Sequence, residues 1–129
     1  MPTVTIEVRY SYSTEQELAI IDAVHQAMMM GLKTPDWDKN IRFISHLPHR
    51  FTSPPDKSER YTLISFDMFS GRSIEAKRQL YKELVTRLIP LGIPANDILI
   101  VLREHPRENW GIQGGQCAAD IHIPFTIEV

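Results

Sequence analysis

The pattern that decides the fold stands near the amino end, where residues 2–28 read PTVTIEVRYSYSTEQELAIIDAVHQAM. In the first part of this segment every second side chain is apolar: Val4, Ile6, Val8 and Tyr10. Such period-2 alternation predicts a strand with one buried face. In the later part the apolar residues recur at the spacing of one helical face: Ile20, Val24, Ala27 and Met28. This change of period predicts a strand followed by a helix.

The ends of this helix are marked by residue chemistry. Ser13 and Gln16 fit a capping box, in which each side chain bonds the backbone N–H of the other residue. Gly31 suits a helix C-terminus, and Pro35 prevents the helix from continuing. The apolar run at 41–47 then predicts a second strand. Two strands joined through a helix form a β-α-β unit, and its strands are expected to be parallel.

The same order of elements returns in the second half of the chain. After a proline-containing loop, residues 61–69 are strand-like, Ser73 can cap a helix, and residues 98–102 form a strongly apolar strand. Short matches accompany this order at offsets of 60 and 59 residues: Ser13–Glu15 with Ser73–Glu75, Pro35–Asp38 with Pro94–Asp97, and His46 with His105. This joint register indicates a duplicated unit.

The duplication predicts an α+β fold, in which two β-α-β units form a four-stranded sheet with both helices on one face. The expected divisions are one domain at 1–129, repeat halves at about 2–47 and 61–104, and a C-terminal extension at 105–129. At the end of this extension residues 121–129 alternate apolar and polar, and Pro124 lacks an amide donor. These features predict a C-terminal strand at an edge of the sheet or across an oligomer contact, and an apolar edge on so small a fold predicts oligomerisation.

The composition excludes several classes of function. The net charge is −2 and the basic residues are scattered, so no nucleic-acid partner is predicted. The chain has no membrane-length apolar run and no secretory leader pattern, which predicts a cytoplasmic protein without membrane association. The single cysteine, Cys117, excludes an internal disulfide. His46 and His49 straddle Pro48 with no carboxylate at metal-binding spacing, so no metal site is predicted.

The start of the chain is the candidate source of chemistry. Met1 before a small residue such as Pro2 is usually removed, which would leave the secondary amine of Pro2 as the N-terminus. Because Pro2 leads directly into the first strand, the sheet would hold that amine in a fixed position. A terminal amine titrates nearer neutral pH than a lysine does. Pro2 is therefore predicted to serve as a general acid or base, or as a nucleophile toward a carbonyl.

These positions resemble those of a known family. Pro2 at the start of a strand, the duplicated β-α-β unit, Asp38 after the first helix and Gly71-Arg72 after the third strand are similar to the tautomerase superfamily. The resemblance covers nearly the whole chain. Its motifs are short, but their order and spacing together are specific.

Three motifs resemble most closely the malonate semialdehyde decarboxylase branch of that superfamily: Pro35-x-x-Asp38, Ser70-Gly71-Arg72 and Asn109-Trp110-Gly111. One motif departs from the family pattern. The decarboxylating members carry two arginines that flank a single residue, whereas here Ser70 stands at the first position and only Arg72 is present. One cation fewer should weaken binding of a dicarboxylate or of a malonate-type substrate. The departure therefore favours tautomerisation over decarboxylation.

The resemblance implies a role for each matched residue. Pro2 would be the catalytic amine, and Asp38 would lie near it, favouring the protonated amine or orienting a water. Arg72 would clamp the substrate carboxylate and stabilise the charge of an enolate. Trp110 and Ile112 would form part of an apolar wall that excludes water. The substrate-binding set implied by the resemblance is Arg72, Ser70, Trp110 and Ile112.

The residues and the resemblance together predict an enzyme that needs no cofactor and forms a homotrimer. The Pro2 amine would act as acid or base on a small 2-keto or unsaturated carboxylic acid, most directly in keto–enol tautomerisation. One alternative is a decarboxylase or hydratase of a 3-oxo acid of the malonate semialdehyde type. A second is a non-catalytic α/β module that binds a small ligand, and a third is a structural oligomer.

Overall fold

The computed structural model describes residues 2–129 of the chain. Its strands and long helices are β1 Thr3–Val8, α1 Thr14–Leu32, β2 Ile41–Ser45, β3 Thr62–Phe69, α2 Ile74–Leu88, β4 Ile98–His105, β5 Gly111–Ile112 and β6 Gln116–Cys117. The last two form a short antiparallel hairpin, in which Gly111 pairs with Cys117. No helix in this described part of the chain has the length and apolarity needed to cross a membrane.

The four main strands form one mixed sheet in the order β2-β1-β3-β4. β1 runs parallel to β2, and β3 runs parallel to β4, as two β-α-β units require. The two units meet at an antiparallel pair, β1 with β3, in which Ile6 lies opposite Ile64. The predicted α+β fold with a duplicated β-α-β unit is confirmed.

Both helices pack on one face of the sheet. The two central strands turn fully buried side chains toward them: Val4, Ile6, Val8, Ile64, Phe66 and Met68. The helices contribute Ile20, Val24, Ala27, Met28, Leu80, Leu84 and Leu88 to the same core. Burial of one large apolar side chain stabilises the fold by roughly 1.5–3 kcal/mol. A one-residue slip of either central strand would expose its whole inner row, so this core also sets the strand register.

Side-chain hydrogen bonds cap the N-termini of both helices at the predicted residues. The Gln16 N–H donates to Ser13 Oγ at 3.2 Å, and the Ser13 N–H donates to Gln16 Oε1 at 2.9 Å. The predicted capping box is therefore confirmed. At the start of α2 the Ala76 N–H donates to Ser73 Oγ at 3.1 Å.

Gly31 has a different role from the predicted one. It lies inside α1, and the C-cap of this helix is Lys33, which has a left-handed φ of 56°. A Cβ atom at position 31 would lie 2.7 Å from Leu80 Cα on α2. The expectation that Gly31 ends the helix is wrong. Its missing side chain instead allows the backbones of the two helices to approach each other closely.

The C-terminal segment also differs from the prediction. Residues 121–129 form no strand, although their alternation predicts one. An extended segment becomes a strand only when a second backbone pairs with it, and Pro124 lacks a donor for such pairing. The segment folds over the end of β3 instead, where Ile127 is buried in a small second cluster. The Ser73 N–H donates to the Val129 carbonyl oxygen at 3.1 Å. The predicted C-terminal edge strand is therefore wrong.

Gly31→Ala is expected to lower the free energy of unfolding by roughly 1–3 kcal/mol, because the new methyl group overlaps the α2 backbone. This loss outweighs the gain of about 1 kcal/mol in helix propensity. Chemical denaturation of the purified variant measures the change. Gly111→Ala is the matched control, since nothing lies within 4 Å of a Cβ at that position. Equal stability of the two variants would contradict the close approach of the helices.

Candidate active site

Three predicted site residues lie at the same end of the sheet. Pro2 precedes β1, Asp38 precedes β2, and Arg72 follows β3. β1 and β2 are parallel and begin together, since Val4 pairs with Ile41. β3 is antiparallel to β1 and therefore finishes where β1 begins. Sheet topology thus brings these positions together from distant parts of the sequence.

The three predicted site residues at this end are buried. Pro2 is buried, and Asp38 and Arg72 are each only 5% exposed. Burial lowers the pKa of the Arg72 guanidinium, whereas the negative charges of Asp38 and Glu104 raise it. An arginine nevertheless stays protonated at neutral pH. The structure therefore places a buried cation and a buried carboxylate close to the start of β1.

The guanidinium of Arg72 has hydrogen-bonding capacity to spare. Its Nη1 donates to the Phe69 carbonyl oxygen at 3.4 Å. Its Nε and Nη2 are buried and have no acceptor among residues 2–129. The same two atoms of Arg103 bind both carboxylate oxygens of Asp67, at 2.9 and 3.1 Å. The open edge of Arg72 therefore has the geometry that binds a carboxylate bidentately.

An apolar cluster lies beside this arginine, at the end of β3. The rings of Phe69 and Trp110 meet edge to face, with their centroids 5.1 Å apart. Ile112, on the hairpin, packs against the same cluster. Trp110 Nε1 is buried and has no acceptor within residues 2–129. Trp110 and Ile112 thus form an apolar surface that also holds one N–H donor.

Ser70 is the predicted site residue that lies outside the buried group. Its side chain is exposed, while its backbone N–H donates to the His105 carbonyl oxygen at 3.0 Å. The structure therefore brings Pro2, Asp38 and Arg72 together in the interior and leaves Ser70 at the surface.

An ion-pair network supports the apolar cluster from the outer face of the sheet. Hydrogen bonds from Arg103 and from His105 hold the pKa of Asp67 at about 2, well below its usual value. His105 Nε2 lies 2.9 Å from Asp67 Oδ1, and its ring lies 5.9 Å from that of Trp110. The network therefore orients His105 against the tryptophan of the candidate site.

The C-terminal segment contributes to this end of the sheet in a way that its sequence pattern does not predict. Phe125 contacts Trp37 edge to face, with centroids 5.9 Å apart, and Trp37 is the residue before Asp38. A Cβ atom on Gly71, whose φ is 129°, would lie 3.4 Å from Glu128 Cγ. The segment thus crosses directly over the residues that flank Arg72. Gly71 is the residue in the sequence that could have indicated this crossing, because a glycine can adopt a positive φ and lets another segment pass close to the backbone.

This arrangement offers two buried donors of Arg72 without an acceptor among residues 2–129, near an apolar cluster that includes Trp110. Among residues 2–129 there is no group of three or more His, Cys, Asp or Glu side chains placed to hold a metal ion. The candidate site is thus a buried arginine and carboxylate beside an apolar surface.

Comparison with known proteins identifies the class. A family model described as tautomerase enzyme matches residues 38–113. The chain belongs to this tautomerase family. It is accordingly an enzyme with chemistry of the tautomerase or decarboxylase/hydratase type, and its predicted membership of the tautomerase superfamily is confirmed.

Particular relatives are similar along nearly their whole length. The probable tautomerase YusQ of Bacillus subtilis (strain 168) is 24% identical over 122 residues, which cover 90% of this chain and 96% of YusQ. A crystal structure of FG41 malonate semialdehyde decarboxylase inhibited by 3-bromopropiolate is 25% identical. It has a TM-score of 0.84 and covers 95% of this chain and 99% of its own. This similarity confirms the predicted malonate semialdehyde decarboxylase-like branch.

A third relative shares the fold at lower identity. The symmetric trimer of wild-type fused 4-OT is 19% identical, with a TM-score of 0.81. The match covers 91% of this chain and 96% of that one.

Proposed function

We propose that the enzyme uses the amine of Pro2, freed by removal of Met1, for keto–enol tautomerisation of a small 2-keto or unsaturated carboxylic acid. The observation that carries this proposal is that two buried donors of Arg72, Nε and Nη2, have no acceptor among residues 2–129. They lie at the end of the sheet where Pro2 precedes β1. A buried cation with unused donors is costly unless a partner completes it. A substrate carboxylate is that partner.

The chemistry requires only a proton shuttle. The neutral amine of Pro2 removes a proton from the carbon next to the keto group and leaves an enolate. The protonated amine then returns this proton to the enolate oxygen, so atoms and electrons balance without a cofactor. Arg72 holds the carboxylate and stabilises the charge that develops beside it. Asp38 favours the protonated form of the amine through its negative charge.

Decarboxylation or hydration of a 3-oxo acid is the second candidate. The similarity to FG41 malonate semialdehyde decarboxylase supports it. Against it stands Ser70, which is exposed and uncharged where a second arginine is expected. A guanidinium that binds the single carboxylate of a 3-oxo acid leaves no second arginine beside it for the 3-oxo group, because Ser70 stands at that position. Assaying both reactions with one preparation separates the two candidates, and a non-catalytic module would show neither activity.

Pro2→Ala is expected to reduce the rate of phenylenolpyruvate ketonisation on the order of 100-fold, the usual contribution of a positioned acid or base. A chain with an uncleaved extension before Met1 should lose still more, because the amine becomes an amide. The loss of enol absorbance with time measures the rates, and mass spectrometry checks that Met1 has been removed. Undiminished activity of the extended chain would refute the role of Pro2.

Arg72→Ala is expected to lower kcat/KM for the same reaction on the order of 100-fold or more, because both substrate binding and enolate stabilisation are lost. Arg72→Lys keeps the charge but not the planar fork, so an intermediate loss is expected. Arg78→Ala, an exposed arginine on α2, is the matched control. If Arg72→Ala matched that control, the arginine would have no part in the reaction.

We also propose that the chain assembles as a trimer through the sheet face that the helices leave uncovered. Large apolar side chains are exposed on this face: Ile44, Leu99 and Val101. Register places Leu99 beside Leu63 and Val101 beside Ser65, on the side opposite the core. The fused 4-OT relative with the same fold forms a symmetric trimer, which supports this assembly.

Leu99→Glu is expected to shift the chain from trimer to monomer, because a charge would be buried at the contact. Light scattering during gel filtration measures the mass. Leu18→Glu is the control, since Leu18 is 60% exposed but lies on α1, whereas Leu99 is 45% exposed on the open sheet face. An unchanged mass for Leu99→Glu, or equal dissociation of both variants, would contradict the proposed contact.

A further inference from the structure

A two-fold relation links the two ends of the sheet. The β1–β3 pairs Val4–Phe66 and Ile6–Ile64 exchange when each residue is replaced by its match 60 positions away. Each sequence position at the Pro2 end therefore has a matching position at the opposite end, where β1 and β2 finish.

A side-chain pair follows this relation. At the Pro2 end His105 Nε2 lies 2.9 Å from Asp67 Oδ1. At the opposite end His46 Nε2 lies 3.0 Å from Glu7 Oε1. Glu7 stands 60 positions before Asp67, and His46 stands 59 positions before His105. The duplicated chain has kept the same imidazole–carboxylate pair at both ends.

The reacting groups, by contrast, are present at one end only. Tyr12 stands 60 positions before Arg72, so an aromatic side chain replaces the buried cation. Thr62 stands 60 positions after Pro2, and its nitrogen is an amide within β3. The position that matches Pro2 therefore supplies no free amine at the opposite end.

The two ends also differ in how they are covered. The hairpin and the C-terminal segment cover the Pro2 end, where Trp110 packs on Phe69. At the opposite end Arg9 matches Phe69, and residues 48–60 contain no strand. A cavity of about 640 Å³ opens there, and its lining includes Arg9, Tyr10, Ser11, His46, Leu47 and Glu59. Cavities of roughly 300–1,000 Å³ are typical of small-molecule sites.

Arg9 gives this cavity a fixed positive charge. Its Nη1 donates to the Phe51 carbonyl oxygen at 3.3 Å, and its Nη2 donates to the Ser58 carbonyl oxygen at 3.0 Å. Its Nε is buried and has no acceptor among residues 2–129. Arg9 also takes no part in the ion pairs found within that range. The guanidinium is therefore held by two neutral carbonyl groups and makes no ion pair among residues 2–129.

The remaining lining selects among anions. Tyr10 and Ser11 offer hydroxyl groups, while Leu47 and the adjacent Pro48 offer apolar surface. Glu59 lines the same cavity, and its carboxylate disfavours a second negative charge beside it. The Arg60 guanidinium stacks on Tyr10, 3.6 Å from the ring centroid, and adds a cation next to this lining residue. A single carboxylate with a short organic tail fits the cations, the hydroxyl groups and the apolar surface.

We infer that this cavity is a second binding site, which takes a small organic monocarboxylate and lacks the terminal amine of the Pro2 end. Arg9 binds the carboxylate, and Leu47 and Pro48 contact the tail. The site lies at the duplicated counterpart of the Pro2 end, but a different arginine supplies the cation, since Tyr12 matches Arg72 and Phe69 matches Arg9. It lies at the opposite end of the sheet from Pro2, so its occupancy does not depend on the proposed reaction.

The test uses 3-phenylpropanoate, a monocarboxylate without a keto group, and 3-phenylpropanamide, its neutral analogue. Titration of the ¹⁵N-labelled native chain should shift the backbone amides of Arg9, Ser11 and Leu47 with the acid but not with the amide. The same shifts should persist in Arg72→Ala, in which the clamp at the other end is removed. Ketonisation is not measured, so failure of the Pro2 mechanism would leave this result unaffected.

Two variants identify the cavity as the site. Arg9→Gln should weaken binding of the acid by roughly tenfold or more, because a charge-assisted hydrogen bond is lost. Since Arg9 also anchors the loop at 48–60, a second variant leaves its hydrogen bonds intact. Ser11→Phe fills the cavity from an exposed position and should abolish the shifts while the thermal midpoint stays near that of the native chain.

Several results would overturn the inference. Shifts confined to residues around Arg72, equal shifts with the neutral amide, or unweakened binding to Ser11→Phe would each exclude a carboxylate site at Arg9. If Ser11→Phe changed the mass in solution and the acid caused no shift, the cavity would be a contact between copies of the chain. That result would also refute the second site.

Discussion

β1 and β3 pair antiparallel through the middle of the sheet, and this pairing reverses one β-α-β unit relative to the other. Each unit alone has two parallel strands under a single helix, with the edge of its first strand unpaired. The pairing satisfies both of these edges and lets α1 and α2 pack together over a shared core. It also decides where the chemistry lies, because the end of β3 meets the start of β1.

Burial of a cation at that meeting point has an energetic consequence. An arginine removed from water costs free energy that its contacts must offset, and here Asp38 and Glu104 supply the negative charge. Their charge does not use the Nε and Nη2 donors of Arg72, which stay without an acceptor in residues 2–129. A bound carboxylate would complete the hydrogen bonding of this group. Substrate binding and local stabilisation are therefore expected to be the same interaction.

The hairpin and the C-terminal segment, which follow the second repeat, cover only one end of the sheet. At one end the hairpin and the C-terminal segment bring Trp110 and Phe125 over the strand ends. At the other end the matching strand ends stay open around Arg9. A duplication produces two equivalent ends, and the loss of one amine together with the covering of one end separates their functions.

The sequence by itself determined the four main strands, the two long helices and their order. Period-2 alternation from Val4 to Val8, the Ser13–Gln16 capping box and the matching Ser73 cap are local signals, and local hydrogen bonding and burial act on them directly. Tertiary structure decided what depends on distant partners: Gly31 faces Leu80 instead of ending a helix, and the alternating tail at 121–129 finds no strand to pair with. The burial of Arg72 near Asp38 and the cavity beside Arg9 belong to this second group. Each depends on which strand ends lie next to each other. Pairing between distant strands decides this, and no single segment of the sequence shows it.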